Sequence, residues 1–192
     1  MISMYDGKTT RLRRLTSDDA EKMLQYWNLY ELRQYLAAPL PSTKQDLIEY
    51  IDSVNNAFAN RKGFTFGIEV KETGFLVGII NLVNISWLSR NGEIGVFAIL
   101  DKKDRGKGYA QDAITVLLDF AFNVIDLHNV YLMVAGFNDR AINFYDKIGF
   151  KGNGRIREMA FRNGKRYDVI IMDILRSEFI DRYGILPKTD AP

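Results

Sequence analysis

The residues best placed to do chemistry are Lys102-Lys103-Asp104-Arg105-Gly106-Lys107-Gly108-Tyr109-Ala110, between a short apolar strand and a long amphipathic helix. A strand that stops in a glycine-rich turn and releases a helix aims several backbone N–H groups at one spot, with the positive helix end behind them. Such a spot suits a pyrophosphate. Arg105, Gly108 and Ala110 fit the pattern Arg-x-x-Gly-x-Ala. A nucleoside-triphosphate loop needs a hydroxyl after Gly-Lys, whereas Gly106-Lys107 is followed by Gly108. A dinucleotide fingerprint needs glycine where Gln111 stands, and an acidic residue about 20 positions on, where the helix is still running. The competing reading is a charged turn in which glycine only supplies the backbone conformation.

Absences narrow the chemistry. The chain has no cysteine, which excludes a thiolate nucleophile, a disulfide and a sulfur-ligated metal. His128 is the one histidine, too few for a His-rich zinc site, and no Gly-x-Ser-x-Gly elbow occurs. No metal is expected. Carboxylates, tyrosine, backbone amides and water remain. A formal net charge of +2 is too small for a nucleic-acid partner. No apolar run approaches the ~20 residues of a membrane span. The amino end lacks the charged lead and apolar core of a secretory signal, so the expected location is cytoplasmic.

The elements around the loop follow from periodicity. Residues 8–15 read as a first strand on an exposed edge. A helix follows with Ala20, Met23, Leu24 and Trp27 on one face, then a short helix from Tyr30 to Leu36, stopped by Pro39 and Pro41. Ser42 or Thr43 starts a third, with Leu47, Ile48, Ile51, Val54 and Phe58 at helical spacing. Strands are expected over residues 64–70 and 76–85, joined by the turn Lys71-Glu72-Thr73-Gly74. A nearly all-apolar central strand is expected over residues 93–100. A helix over 110–123, a strand over 130–135 and a helix over 138–148 ended by Gly149 come next. Strands over 151–161 and 167–175 close the pattern, joined by Arg162-Asn163-Gly164-Lys165. This order predicts an α/β (α+β) fold, a mixed sheet with helices on both faces. Residues 1–186 read as one domain and 187–192 as a disordered tail.

Two motifs carry a resemblance to a family. Gly92-Glu93-Ile94-Gly95-Val96-Phe97-Ala98-Ile99-Leu100 with the loop after it is similar to the signature of GCN5-related N-acetyltransferases (GNAT). Asn138, Ala141, Tyr145, Gly149 and Phe150 match that family's second motif, Asn-x-x-Ala-x-x-x-Tyr-x-x-x-Gly-Phe. The resemblance covers roughly Leu12 to Phe179 and looks closest to the branch of ribosomal-protein N-terminal and spermidine acetyltransferases. It implies a mostly antiparallel sheet of about seven strands, acetyl-CoA as co-substrate and a homodimer through the final strand.

The implied roles map residue by residue. The backbone of Ala98, Ile99 and Leu100 would pair with the pantetheine arm. The amides of Gly106, Lys107, Gly108, Tyr109, Ala110 and Gln111 would take the pyrophosphate, with Arg105 framing the turn; Lys107 is equally a solvated turn lysine. Asn138 would meet the cofactor or serve as a helix N-cap. Tyr145 would protonate the departing thiolate, or is a core tyrosine sharing a face with Ala141 and Ile148. Glu93, early in the central strand and flanked by Gly92 and Gly95 that permit a β-bulge, would be the base through a water, or an ordinary solvent-facing glutamate.

Without cysteine, the amine must attack the thioester directly. Tyr26, Trp27, Tyr30, Arg33, Tyr35 and Trp87 are candidate acceptor-lining groups, and Glu21, Glu31 and Asp46 could attract a cation. No dense acidic cluster announces a polyamine, which turns the expectation to a peptide N-terminus. Polyamine or other small-amine acetylation, and a non-catalytic coenzyme A-binding module, are the alternatives.

Overall fold

The computed structural model describes residues 3–35 and 40–184. The expected tail, and the end of the short helix with Leu36 and Pro39, lie outside them. The elements are β1 (Thr10–Arg13), α1 (Asp19–Trp27), α2 (Tyr30–Arg33), α3 (Lys44–Ala59), β2 (Phe64–Val70), β3 (Leu76–Ser86), β4 (Asn91–Ile94) and β5 (Phe97–Ile99). After a 3₁₀ turn at Lys102–Asp104 come α4 (Tyr109–Asp119), β6 (Asn129–Ala135), α5 (Asp139–Ile148), β7 (Lys151–Arg162), β8 (Lys165–Leu175) and α6 (Arg176–Tyr183). No helix among the described residues is long and apolar enough to cross a membrane.

The eight strands form a sheet ordered β1-β2-β3-β4-β6-β8-β7, with β5 paired only to β3. Every pairing is antiparallel except β4 with β6. Helices α1, α2 and α3 cover one face of the amino-terminal half, burying Ala20, Met23, Trp27, Leu47 and Ile51 against Leu76, Ile79 and Leu100. On the other face α4 buries Ala113, Ile114, Leu117 and Leu118, and α5 buries Ile148. Each such Ile or Leu contributes about 1.5–3 kcal/mol.

Local chemistry sets the element ends. Thr43 caps α3 in a capping box with Asp46. Gly149, at φ +118°, ends α5 in the left-handed region that glycine tolerates. Asn163 and Gly164 both have positive φ, the two-residue turn that matches the twist of β7 and β8. The expected helix over 110–123 changes character after Asp119: Phe120–Val124 form a π turn, and Asn123 donates to the buried Asp119 carboxylate at 2.7 Å. Helix α6, which buries Phe179, was not expected from the sequence.

One expectation is corrected where it matters. The strand over 93–100 is two strands. Asn81 Oδ1 on β3 accepts the amides of Gly95 (3.0 Å) and Val96 (2.7 Å), filling the place of a strand partner. Any side chain at Gly95 would bring a Cβ within 2.9 Å of Val83. The chain therefore bulges there, β5 stays with β3, and only β4 pairs with β6. The split raises the expected seven strands to eight.

Candidate active site

The split opens a wedge. Pairing of β4 with β6 ends at Ile94 and Leu132, while β6 runs on to Ala135 with a partner only on its β8 side. On the opposite wall, Val96 accepts from Asn81 and Leu100 donates to Val77, both at 2.9 Å. The alternation of an antiparallel ladder then directs the backbone of Phe97 and Ile99 away from β3 and into the wedge. Of the three pantetheine candidates, Ile99 faces the gap. Ala98 and Leu100 spend their backbone on β3 and their side chains on the α1–α3 core. Phe97 is the residue the sequence reading left out.

The loop closes the wedge at one end. Gly106 (φ +80°) and Gly108 (φ +85°) are left-handed, with nothing within 4 Å of where a Cβ would stand. The amides of residues 106–111 donate to no described residue, and the last three open α4. Six unpartnered donors beside open space suit a polyanion; four of them, Gly108 to Gln111, belong to the ordinary start of a helix, and Gly106 and Lys107 add two more. Arg105 reaches back to the Ile99 carbonyl at 3.5 Å. Lys107 pairs with Asp104 at 3.0 Å and stays half-exposed, and Lys103 pairs with Asp101 at 3.0 Å. The Lys103 amide and the Tyr26 hydroxyl hold Asp101 well below the usual carboxylate range. Asp112, on the first turn of α4, accepts from the amides of Lys8, Thr9 and Thr10 at 2.7–2.9 Å and so ties the loop's helix to β1.

Helix α5 forms the far wall. Asn138 is its N-cap: Oδ1 accepts from Ala141 at 3.2 Å, and Nδ2 donates to no described residue. Capping and ligand contact thus use different atoms. Tyr145 is partly buried among Phe144 (5.4 Å between ring centroids), Phe150 (5.7 Å) and Phe97 (6.4 Å). Burial pushes its pKa well above that of an ordinary phenol, and its hydroxyl bonds to no described residue. It is therefore a protonated donor at neutral pH, in reach of whatever enters between β5 and α5.

Glu93 stands on the other face of the sheet. Ile94 points into the α4–α5 core, so Glu93 points to the face that carries α1–α3. It is 8% exposed and accepts from Asn84 Nδ2 at 2.7 Å. Asn84 itself adopts φ +49° inside the irregular stretch of β3, a strained conformation of the kind that gathers at functional sites. Tyr131, its partner across the β4–β6 pair, shares a hydrogen bond with it; burial and then the Glu93 charge raise the Tyr131 pKa. Asp173 lies next in that row, opposite Tyr131, and accepts from Asn129 at 2.6 Å and from Asn153.

The expected acceptor lining is only partly assembled. Trp27 packs into the core against Tyr50, and Trp87 packs on Phe64, apart from Tyr26 and Tyr30. The three proposed acidic attractors are already engaged: Glu21 with Lys44, Glu31 with Lys102 and Asp46 in its cap. Asn81, Asn84, Tyr131 and Asp173 were missed, because nothing local marks an asparagine that serves a strand many residues away.

Comparison with known proteins places this arrangement. Residues 10–151 match the family described as acetyltransferase (GNAT) domain. A spermidine N(1)-acetyltransferase of Vibrio cholerae is 36% identical over 107 residues, which are 56% of this chain and 61% of that enzyme, less than two thirds of its length. A prophage-derived uncharacterized N-acetyltransferase of Bacillus subtilis is 31% identical over 185 residues, 95% of this chain and 99% of that one. The solved structure of the Vibrio cholerae spermidine N-acetyltransferase in complex with CoA and spermine superposes with a TM-score of 0.79 at 28% identity, over 90% of this chain and 98% of that chain. A dodecameric structure of that enzyme superposes at 0.72 and 28% identity, over 91% and 98%. The chain belongs to the acetyltransferase (GNAT) family, the acetyl-CoA-dependent N-acetyltransferases.

Proposed function

We propose that this chain moves the acetyl group of acetyl-CoA to a primary amine of a small aliphatic polyamine, by direct attack in a ternary complex. The observation that carries the reading is the placement of Glu93 and Tyr145 on opposite faces of one wedge. The loop amides would hold the pyrophosphate, and the exposed backbone of Phe97 and Ile99 the pantetheine arm. Acetyl-CoA supplies the activated thioester. Glu93, through a water, takes the proton of the attacking amine, and Tyr145 gives its proton to the sulfur as the C–S bond breaks.

Charge favours the polyamine over the peptide N-terminus expected from the sequence. Glu93 and Asp173 stand two strands apart, about 10 Å at ordinary strand spacing. Each is hydrogen-bonded by neutral asparagine amides; Asp173 also feels the Lys151 ammonium across the β7–β8 pair, so Glu93 carries the more available negative charge for a cationic acceptor. The relatives named for spermidine agree in direction. An aliphatic amine with pKa ~10.4 is almost wholly charged at pH 7 and needs a base; an α-amino group near ~8 needs one less.

The test is purified protein with acetyl-CoA and spermidine, spermine or short peptides with free N-termini, read as free thiol released. Turnover on the polyamines well above that on peptides is the expected result. Preference for peptides would restore the N-terminal reading. No turnover on any amine, with coenzyme A still bound, would leave the non-catalytic module.

A further inference from the structure

Arg162, the last residue of β7, is held in a way that neither the sheet nor the chemistry above requires. Its guanidinium carbon lies 4.7 Å from the ring centroid of Phe137, 5.3 Å from Tyr30 and 5.4 Å from Tyr35. Nη1 donates to the Gln34 carbonyl at 3.0 Å, and Nη2 to the Tyr30 hydroxyl at 3.1 Å and to the Gln34 side chain. Asn163 adds a hydrogen bond to the same hydroxyl at 3.0 Å. Tyr167 closes the base of the box, edge-on to Phe137 at 4.9 Å. Aromatic faces attract a cation, and the planar fork of arginine satisfies several acceptors at once.

The walls of this box come from two places. Tyr30, Gln34 and Tyr35 belong to α2 and the turn after it, and Phe137 immediately precedes the α5 cap Asn138. The same segment is tied on its other side to the loop, through Glu31 with Lys102 at 3.5 Å, next to the Tyr26–Asp101 hydrogen bond at 2.7 Å. Residues 30–35 thus run from the end of β5 to the end of β6, across the wedge on the face that carries Glu93. We propose that Arg162 is a positioning residue for the acceptor: it fastens residues 30–35 across the wedge and so sets acceptor binding without touching the reacting atoms. This rests on the amine-acetylation reading.

The test compares Arg162→Ala and Arg162→Lys with the wild type, all as full-length protein, by kinetics and amide hydrogen exchange. In Arg162→Ala the spermidine KM should rise about tenfold, the scale of one lost charge-assisted contact, while kcat and the acetyl-CoA KM stay within about twofold. Exchange should quicken at residues 30–35 and not in α4. Added methylguanidinium, which fits the vacated box, should bring the spermidine KM of Arg162→Ala back toward wild type. Arg162→Lys keeps the charge without the fork and should remain impaired. An unchanged spermidine KM, or equal loss in both KM values, overturns the proposal. So does a raised KM without quickened exchange. Wild-type turnover on no amine would instead overturn the acetyl-transfer reading; unaltered exchange at residues 30–35 in Arg162→Ala would then also overturn the role of Arg162.

Discussion

Asn81 is the residue on which the wedge depends, and Asn81→Ala measures that dependence. Its side-chain oxygen accepts two amides, Gly95 at 3.0 Å and Val96 at 2.7 Å, and the residue is buried. Alanine leaves both donors without their acceptor inside the sheet. Gly95 is exposed and Val96 half-buried, so water replaces part of what is lost, and the pair together costs about 1–3 kcal/mol. A domain of this size loses roughly 2–4 °C of Tm per kcal/mol, which gives a fall of about 2–12 °C. Urea denaturation and thermal scans read it directly. Asn81→Asp, which keeps an acceptor oxygen, should recover most of the loss. Coenzyme A affinity should fall with Asn81→Ala, because the bulge is what frees the backbone of Phe97 and Ile99. A change below about 0.5 kcal/mol, the scale of an ordinary surface substitution, would refute the reasoning that this side chain splits the strand.

Three further perturbations probe other parts. At Asp112, burial raises the pKa but the amides of Lys8, Thr9 and Thr10 outweigh it, so the folded pKa lies below the unfolded one. Its stabilisation is complete above the unfolded pKa, near 3.8, and is lost as pH falls through the folded value. Asp112→Asn should therefore be less stable than wild type at pH 6, with the difference shrinking toward pH 2 in denaturant titrations; a constant difference would contradict this. Gly108→Ala meets no atom within 4 Å, so its cost is conformational, about 1–2 kcal/mol, with coenzyme A binding weakened by calorimetry; unaltered binding would detach the loop from the cofactor. Tyr145→Phe keeps the ring packing against Phe97, Phe144 and Phe150 and removes only the hydroxyl. Turnover should fall about 10²-fold or more with coenzyme A affinity intact, and undiminished turnover would remove its acid role.

What was legible in the sequence was local. The loop from Lys102 to Ala110 announced itself through glycine and charge, and the structure gives those glycines positive φ. Asn138 and Gly149 marked both ends of α5, and Asn163-Gly164 marked the last hairpin. Gly92 and Gly95 suggested a bulge beside Glu93, but the split into two strands was not legible, because Ile94 to Leu100 is apolar throughout and reads as one strand. Its cause, Asn81, lies 14 positions upstream of Gly95 and binds through a side chain. Position alone singles out Glu93 as a candidate, but the residues that hold it, Asn84 and Tyr131, reach it only through strand pairing. The box around Arg162 draws on three segments that the fold alone brings together. Asparagines and an arginine that act at long range carry no periodicity, so pattern could not reveal them.

The most direct test of the central claim, that Glu93 deprotonates a polyamine amine, is the pH dependence of kcat/KM for spermidine in wild type and Glu93→Gln. The account predicts a deficit of about 10²–10³ in the variant near pH 7. That deficit should narrow steadily as pH rises toward the amine pKa of ~10.4, where the acceptor loses its proton unaided. A deficit that stays constant across the range, or none at pH 7, would contradict it.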